Sequence, residues 1–152
     1  MNYQKIEVVS RWQSPSNIAL VKYWGKKGLQ IPCNPSISIT LDKAVSDTSM
    51  QAIYDENQNE LSFDFYFEDT KNPGFEEKLK PFLIHAQSYF KWLQHYHVII
   101  HSSNTFPHSS GIASSASAYS ALALNLCTLH EAITGESLPH FFQTASYWAR
   151  IG

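Results

Sequence analysis

The stretch His101–Leu126, HSSNTFPHSSGIASSASAYSALALNL, leads from a serine-rich loop directly into an apolar helical pattern. Pro107 and Gly111 interrupt its first half, and only small residues follow from Ala113 to Ser117. A helix N-terminus carries unpaired N–H groups and a partial positive charge, and small residues let an anion approach them. The stretch therefore predicts a helix beginning near Ser114, preceded by a phosphate-binding loop.

A simpler interpretation of the same loop is that Ser114 only caps the helix and that the rest is an exposed turn. The loop contains neither G-x-x-x-x-G-K-[ST] nor G-x-G-x-x-G, so it is neither a P-loop nor a dinucleotide-binding turn. Composition alone leaves the helix cap and the phosphate loop both open.

A second segment, Asn17–Lys27 (NIALVKYWGKK), is apolar on both alternating faces through Val21. This pattern predicts a strand covered on both sides. Lys22 follows without a break, and a buried lysine requires an anionic partner. The alternative is that Lys22 reaches solvent from the strand end while Lys26 and Lys27 form a solvated turn.

Residue patterns along the chain predict an α+β domain. Alternating or β-branched segments predict strands at Lys5–Trp12, Ile18–Trp24, Ser36–Leu41, Thr48–Tyr54, Leu61–Phe67 and Val98–His101. Three- and four-residue spacing predicts helices at Phe75–Leu93, at Ser114–Ile133 before Gly135, and from Ser137 and Pro139 through Arg150. The order of these elements predicts a mixed sheet with helices packed on one face.

Composition limits the class of protein. The 152 residues are 43% hydrophobic and carry a formal net charge of −2, which fits one globular domain without general attraction for nucleic acid. Two distant cysteines, no secretory signal and no uninterrupted apolar run favour a cytoplasmic protein without a membrane partner. The histidines and cysteines show no ordinary zinc-ligand spacing, so no metal site formed by protein ligands alone is expected.

Three segments together resemble a known family. Pro107–Ala116 is similar to the phosphate loop of the GHMP kinases, and Asn17–Lys26, ending in Lys-Tyr-Trp-Gly-Lys, is similar to the signature of the mevalonate diphosphate decarboxylases in that superfamily. Asn34–Leu41 fits a third segment of the same family. The resemblance implies a GHMP-kinase N-terminal domain of the ribosomal protein S5 domain 2-like type. Residues 1–152 would form this substrate- and ATP-binding domain, cut short, with the C-terminal domain absent from the chain.

The resemblance also implies a reaction in the mevalonate pathway of isoprenoid biosynthesis. ATP and Mg²⁺ would serve to phosphorylate the tertiary hydroxyl of mevalonate 5-diphosphate, and loss of phosphate and CO2 would give isopentenyl diphosphate. The matching positions imply these site residues: Lys22 in catalysis, Tyr23 and Lys26 at the substrate, and Ser103, Gly111, Ser114 and Ser115 at the nucleotide. The catalytic aspartate would lie in the absent C-terminal domain. The 152 residues alone are therefore expected to be inactive, and the complete protein is expected to be a homodimer.

Two alternatives remain open from sequence. A related mevalonate kinase or phosphomevalonate decarboxylase would keep the fold, although the pair Lys22 and Lys26 favours a diphosphate substrate. A non-catalytic module that binds an anion through the serine loop would need no second domain. The enzyme interpretation adds one geometric hypothesis, that Lys22 and the serine loop converge on one cleft.

Overall fold

The computed structural model describes residues 3–22, 24–28, 31–107 and 111–152. In chain order its elements are β1 (Glu7–Val21), β2 (Lys26–Lys27), β3 (Ile31–Pro32), β4 (Ile37–Tyr54), β5 (Ser62–Phe67), β6 (Thr70–Lys71), α1 (Pro73–Gln87), a 3-10 helix (Lys91–Gln94), β7 (Tyr96–Asn104), α2 (Ser114–Thr134) and α3 (Phe141–Ile151). None of the helices in these ranges is long and apolar enough to cross a membrane.

The main sheet has the strand order β1-β4-β7-β5-β6. β5 runs parallel to β7, whereas the other neighbouring strands are antiparallel. α1 and the 3-10 helix lie between β5 and β7 in the chain, which is the long crossover that a parallel pair requires. The predicted mixed sheet is confirmed.

The hydrophobic core lies on one face of this sheet. Met50 and Ala52 of β4 and Val98 and Ile100 of β7 are fully buried, and they pack with buried residues of the helices such as Leu126 of α2. The residues between them point to the opposite face, because successive side chains of a strand alternate. The prediction of helices on one face is confirmed.

Two pairs of predicted strands are single long strands. Lys5–Trp12 and Ile18–Trp24 were expected to be separate, but β1 runs through Pro15 with a register shift before Asn17. β1 is an edge strand, where a proline without an N–H group is tolerated. In the same way β4 joins the predicted strands Ser36–Leu41 and Thr48–Tyr54.

The ends of β1 and β4 form a two-stranded ribbon that extends beyond the helix-covered sheet. Asn17 pairs with Thr40 and Val21 with Ile37, whereas β4 meets β7 only from Ser46 onward. Ile18, Leu20 and Val21 are 46%, 62% and 52% exposed. The prediction of a strand covered on both faces is therefore wrong for the described part of the chain.

Two predicted helix boundaries also differ. α1 ends at Gln87 and a separate 3-10 helix follows, so Phe75–Leu93 is not one helix. α3 begins at Phe141 rather than at Ser137. The reason is that Leu138 is buried and its N–H donates to the Glu131 carboxylate at 2.7 Å, which holds this segment against α2.

Gly135 ends α2 in the left-handed conformation, with φ 71°. Because a Cβ is unfavourable there, we expect Gly135→Ala to lower the free energy of unfolding by about 1 kcal/mol in urea titrations. Gly74→Ala is the matched control, because Gly74 lies in the first turn of α1 and a Cβ there meets only the Asn72 side chain at 3.5 Å. Equal losses in the two variants would contradict the explanation.

Candidate functional site

A cavity of about 290 Å³ lies between α1, β5, β7 and the first turns of α2. Its apolar walls include the aromatic side chains of Phe65, Phe67, Phe75 and Tyr119. Hydroxyl and amide groups also line it, contributed by Ser102, Asn104, Ser114 and Ser115. The cavity therefore suits a flat, mainly apolar group attached to a polar one.

Tyr119 and Lys78 define two sides of this cavity. The Tyr119 ring packs edge-to-face on Phe82 with ring centroids 5.1 Å apart, and burial raises the pKa of its hydroxyl. Lys78 is exposed, with its Nζ 5.6 Å from the centroid of the Phe75 ring. The cavity thus combines a neutral aromatic wall with one cation that solvent reaches.

The N-terminus of α2 opens beside the cavity without a side-chain cap. Ala113 precedes the helix in the left-handed conformation, with φ 45°, and no described side chain hydrogen-bonds as the cap. Ser114 and Ser115 are the first two helical residues, and Gly111, with φ 81°, lies in the preceding bend. The predicted helix start is confirmed, and the alternative in which Ser114 caps the helix is wrong. Residues 108–110 of the loop lie outside the described residues.

Ser103 is separated from Ser114 and Ser115 by the sheet. β7 continues through Asn104, so its alternation points Ser102 and Asn104 toward the cavity and Ser103 to the opposite face. Ser103 is exposed there and lines a different, polar depression with Arg11 and Asp47. The expectation that the Ser103 side chain lies with those of Ser114 and Ser115 is therefore corrected, because Ser102 and Asn104 lie on their side of the sheet instead.

An ion pair dominates the polar depression. The Arg11 guanidinium donates to both oxygens of Asp47 at 2.7 Å. These hydrogen bonds hold the pKa of Asp47 below its usual value. The charges of Arg11 and Asp47 are thus already paired with each other.

Lys22 and Lys26 lie on the exposed ribbon side of the domain. Lys22 follows the end of β1 and Lys26 lies in β2, and both are exposed. The expectation that Lys22 is buried is therefore wrong, because the ribbon that carries it extends beyond the covered sheet. Within the described residues no ion pair joins Lys22 to a carboxylate. Tyr23 lies outside the described residues.

One hydrogen bond joins β1 to the serine loop, since the Ser16 hydroxyl donates to the Ile112 carbonyl. Lys22 lies six residues after Ser16 in the chain. Six residues of extended strand span about 20 Å. The convergence of Lys22 and Ser114 on one cleft stays a prediction.

The comparison with protein families connects these features. A family profile described as the diphosphomevalonate decarboxylase-like N-terminal domain matches residues 14–150. The chain belongs to this family. The match includes the ribbon, the cavity walls and the start of α2, so one family accounts for all three segments of the resemblance.

Curated relatives of this decarboxylase-like domain carry the same description. A diphosphomevalonate decarboxylase of Debaryomyces hansenii is 34% identical in an alignment 149 residues long, which covers 91% of this chain and 37% of the relative. Its counterpart in Bos taurus is 31% identical in an alignment 142 residues long, which covers 86% of this chain and 36% of the relative. The chain thus spans less than two fifths of the length of either protein.

Solved structures share the fold. The mevalonate diphosphate decarboxylase of Staphylococcus aureus superimposes with a TM-score of 0.77 at 32% identity, over 96% of this chain and 41% of that chain. A complex of MDDEF with MVAPP, AMPPCP and magnesium superimposes with a TM-score of 0.68 at 26% identity, over 95% of this chain and 43% of that chain. The GHMP-kinase N-terminal fold is confirmed.

The structure adds residues that the sequence interpretation did not assign. Asn34 accepts from the Trp24 N–H at 2.6 Å and places its amide nitrogen 3.5 Å from the Lys22 carbonyl, so it ties the lysine segment to the start of β4. No local pattern reveals these contacts, because the partners lie ten and twelve residues earlier in the chain. Ser102 and Asn104 were missed because the predicted strand ended at His101.

Proposed function

We propose that this decarboxylase-like domain binds the nucleotide in an ATP-dependent decarboxylation of mevalonate 5-diphosphate to isopentenyl diphosphate. The observation that carries the proposal is an aromatic cavity bordered by the uncapped N-terminus of α2. Because the chain spans about two fifths of the solved relatives, the reaction is proposed for the complete catalytic protein. Dimer formation stays a prediction.

The aromatic walls suit the nucleobase. A purine is flat and mainly apolar, and it stacks on or packs against rings such as Phe65 and Phe75. Its ring nitrogens and amino group need a few polar partners, which Ser102 and Asn104 offer from β7. The base would therefore lie between α1 and β7.

The open helix end suits the phosphates. The N–H groups at Ser114 and Ser115 and the positive end of the helix dipole favour a negative charge in front of α2. The MDDEF complex with AMPPCP and magnesium supports a nucleotide and a cation in this family. Among the described residues no group of three or more His, Cys, Asp or Glu could hold a metal ion. We therefore assign Mg²⁺ to the nucleotide phosphates and to the hydroxyls of Ser114 and Ser115, where it would neutralise phosphate charge.

The proposed transfer step needs little covalent chemistry from the protein. The tertiary hydroxyl oxygen would attack the γ-phosphorus as the bond to ADP breaks, and the hydroxyl proton would pass to a base outside this domain. The original bond between C3 and this oxygen would then break with its electron pair on the phosphate oxygen, and the electron pair of the bond between the carboxylate carbon and C2 would form the C2=C3 double bond as CO2 leaves. Lys22 would stabilise the phosphoryl charge, and Tyr23 and Lys26 would bind the diphosphate.

Ser114→Ala tests the phosphate side of the site. The loss of a charge-assisted hydrogen bond of roughly 1.5–3 kcal/mol is expected to weaken Mg·ATP binding about ten- to a hundredfold. Isothermal titration calorimetry measures it, and Ser103→Ala is the matched control because Ser103 lies on the opposite face of the sheet. Unchanged Mg·ATP affinity in Ser114→Ala, or an equal loss of affinity in Ser103→Ala, would contradict the proposed phosphate site.

A further inference from the structure

Three side chains from three elements meet in a hydrogen-bond network behind the polar lining of the cavity. The Ser46 hydroxyl oxygen lies 2.7 Å from the Asn104 Oδ1 and 2.7 Å from the Ser117 Oγ. Ser46 is fully buried and Ser117 is 1% exposed, whereas Asn104 is half-buried and lines the cavity. One buried hydroxyl of β4 therefore connects α2 with a cavity residue of β7.

The Asn104 amide oxygen gives this network a direction, because an amide oxygen only accepts hydrogen bonds. A serine hydroxyl carries one hydrogen, and Ser46 donates its hydrogen to the Asn104 Oδ1. The short contact between Ser46 and Ser117 is then made by the Ser117 hydrogen. Ser117 shares that hydrogen with the Ser114 carbonyl oxygen at 3.1 Å. The chain of donors thus runs from Ser117 through Ser46 to Asn104.

The hydrogen bond from Ser46 engages the oxygen end of the Asn104 amide. A carboxamide holds one oxygen and one NH2 group on opposite sides of the same carbon, and the two ends differ in hydrogen bonding but hardly in shape. Because Ser46 engages the oxygen, the NH2 group is turned away from Ser46. Without that hydroxyl, either end of the amide could face the cavity.

We propose that Ser46 is a positioning residue that holds the Asn104 amide with its N–H groups turned to the cavity, as donors to the ring nitrogens of the nucleobase. This inference rests on the proposed nucleotide site and deepens it, because it assigns recognition of the base to β7 and its orientation to β4. The inference also predicts that loss of the Ser46 hydroxyl weakens binding of the base without weakening binding of the phosphates. In the absence of the Ser46 hydroxyl, Ser117 can still donate to the Ser114 carbonyl at the start of α2.

A second buried hydroxyl pair provides the control. The Ser14 hydroxyl donates to the Ser120 Oγ at 2.6 Å, also between the sheet and α2, and Ser14 is 5% exposed. Neither serine lines the cavity. Ser14 lies opposite Ser46 in the pairing of β1 with β4, so Ser14→Ala removes a comparable buried hydroxyl beside the network at Asn104 and leaves the Ser46 hydroxyl in place.

Two ligands distinguish positioning from general loss of structure. We expect Ser46→Ala to weaken Mg·ADP binding about tenfold, and to leave the affinity for magnesium tripolyphosphate, which has no base, within about twofold. Ser14→Ala should leave both affinities unchanged. Equal weakening of both ligands by Ser46→Ala, or no weakening of either, would overturn the inference. Failure of the unsubstituted protein to bind Mg·ADP would instead overturn the proposed function, and the inference with it.

A double-mutant cycle tests whether Ser46 acts through Asn104. Asn104→Ala removes the donor itself, so adding Ser46→Ala to it should cause no further loss of Mg·ADP affinity. Additive losses would contradict the positioning role. If Ser46→Ala does not fold, Ser46→Cys serves in its place, since a thiol has a similar shape but is a weak donor, and it should weaken only Mg·ADP.

Discussion

Replacement of Lys22 by methionine in the complete protein is expected to reduce turnover about a hundred- to a thousandfold while the KM for ATP stays within about threefold. A cation close to the transferred phosphoryl group stabilises the transition state more than the bound substrate. Methionine keeps a long unbranched side chain but removes the charge together with the three N–H donors of the ammonium group. Steady-state kinetics with saturating mevalonate 5-diphosphate measures the two constants separately.

Lys27→Met is the matched control for this variant. Lys27 is exposed on the same side of the domain, in β2, and the family resemblance assigns it no role. Its substitution should leave turnover unchanged. If the Lys22 variant turns over as fast as the unsubstituted protein, Lys22 is only a solvated lysine at the end of a strand.

Filling the aromatic cavity is expected to abolish nucleotide binding. Ala118 lines the cavity from α2, four residues after Ser114, and Ala118→Phe would occupy the space proposed for the base. We expect Mg·ADP affinity to fall about a hundredfold or more, because the base loses its enclosed apolar contacts. Calorimetric titration measures the loss, and thermal unfolding verifies that the variant is folded.

Ala132→Phe provides the same substitution outside the cavity. Ala132 is half-buried near the C-terminal end of α2, 14 residues after Ala118, and does not line the cavity. Its variant should bind Mg·ADP normally. If Ala118→Phe folds and binds like the unsubstituted protein, the base does not lie in this cavity.

The fold could be predicted where local signals decide it. The small residues before Ser114 and the glycine after Thr134 fix both ends of α2, and prediction and structure differ there by one residue. The long strands could not be predicted, because their continuity through Pro15 depends on pairing with β4, which is distant in sequence. For the same reason, an apolar pattern in Asn17–Val21 did not reveal that the ribbon lies outside the covered sheet.

The site could be predicted at the helix and not at the strand. Ser114 and Ser115 follow from the small-residue pattern alone. The other side of the site depends on where β7 ends. The predicted strand ends at His101, so the alternation of side chains between the two faces of a strand could not be applied to the residues that follow. Because β7 continues to Asn104, alternation selects Ser102 and Asn104 instead of Ser103.

Parallel measurement of ADP and CO2 tests the central claim most directly. The complete protein is incubated with MgATP and, separately, with mevalonate, mevalonate 5-phosphate or mevalonate 5-diphosphate. We expect equal amounts of ADP and CO2, with the diphosphate as the preferred substrate. Formation of ADP without CO2 would indicate a kinase, and CO2 release with the monophosphate as the preferred substrate would indicate a phosphomevalonate decarboxylase. Either result would contradict the proposed function.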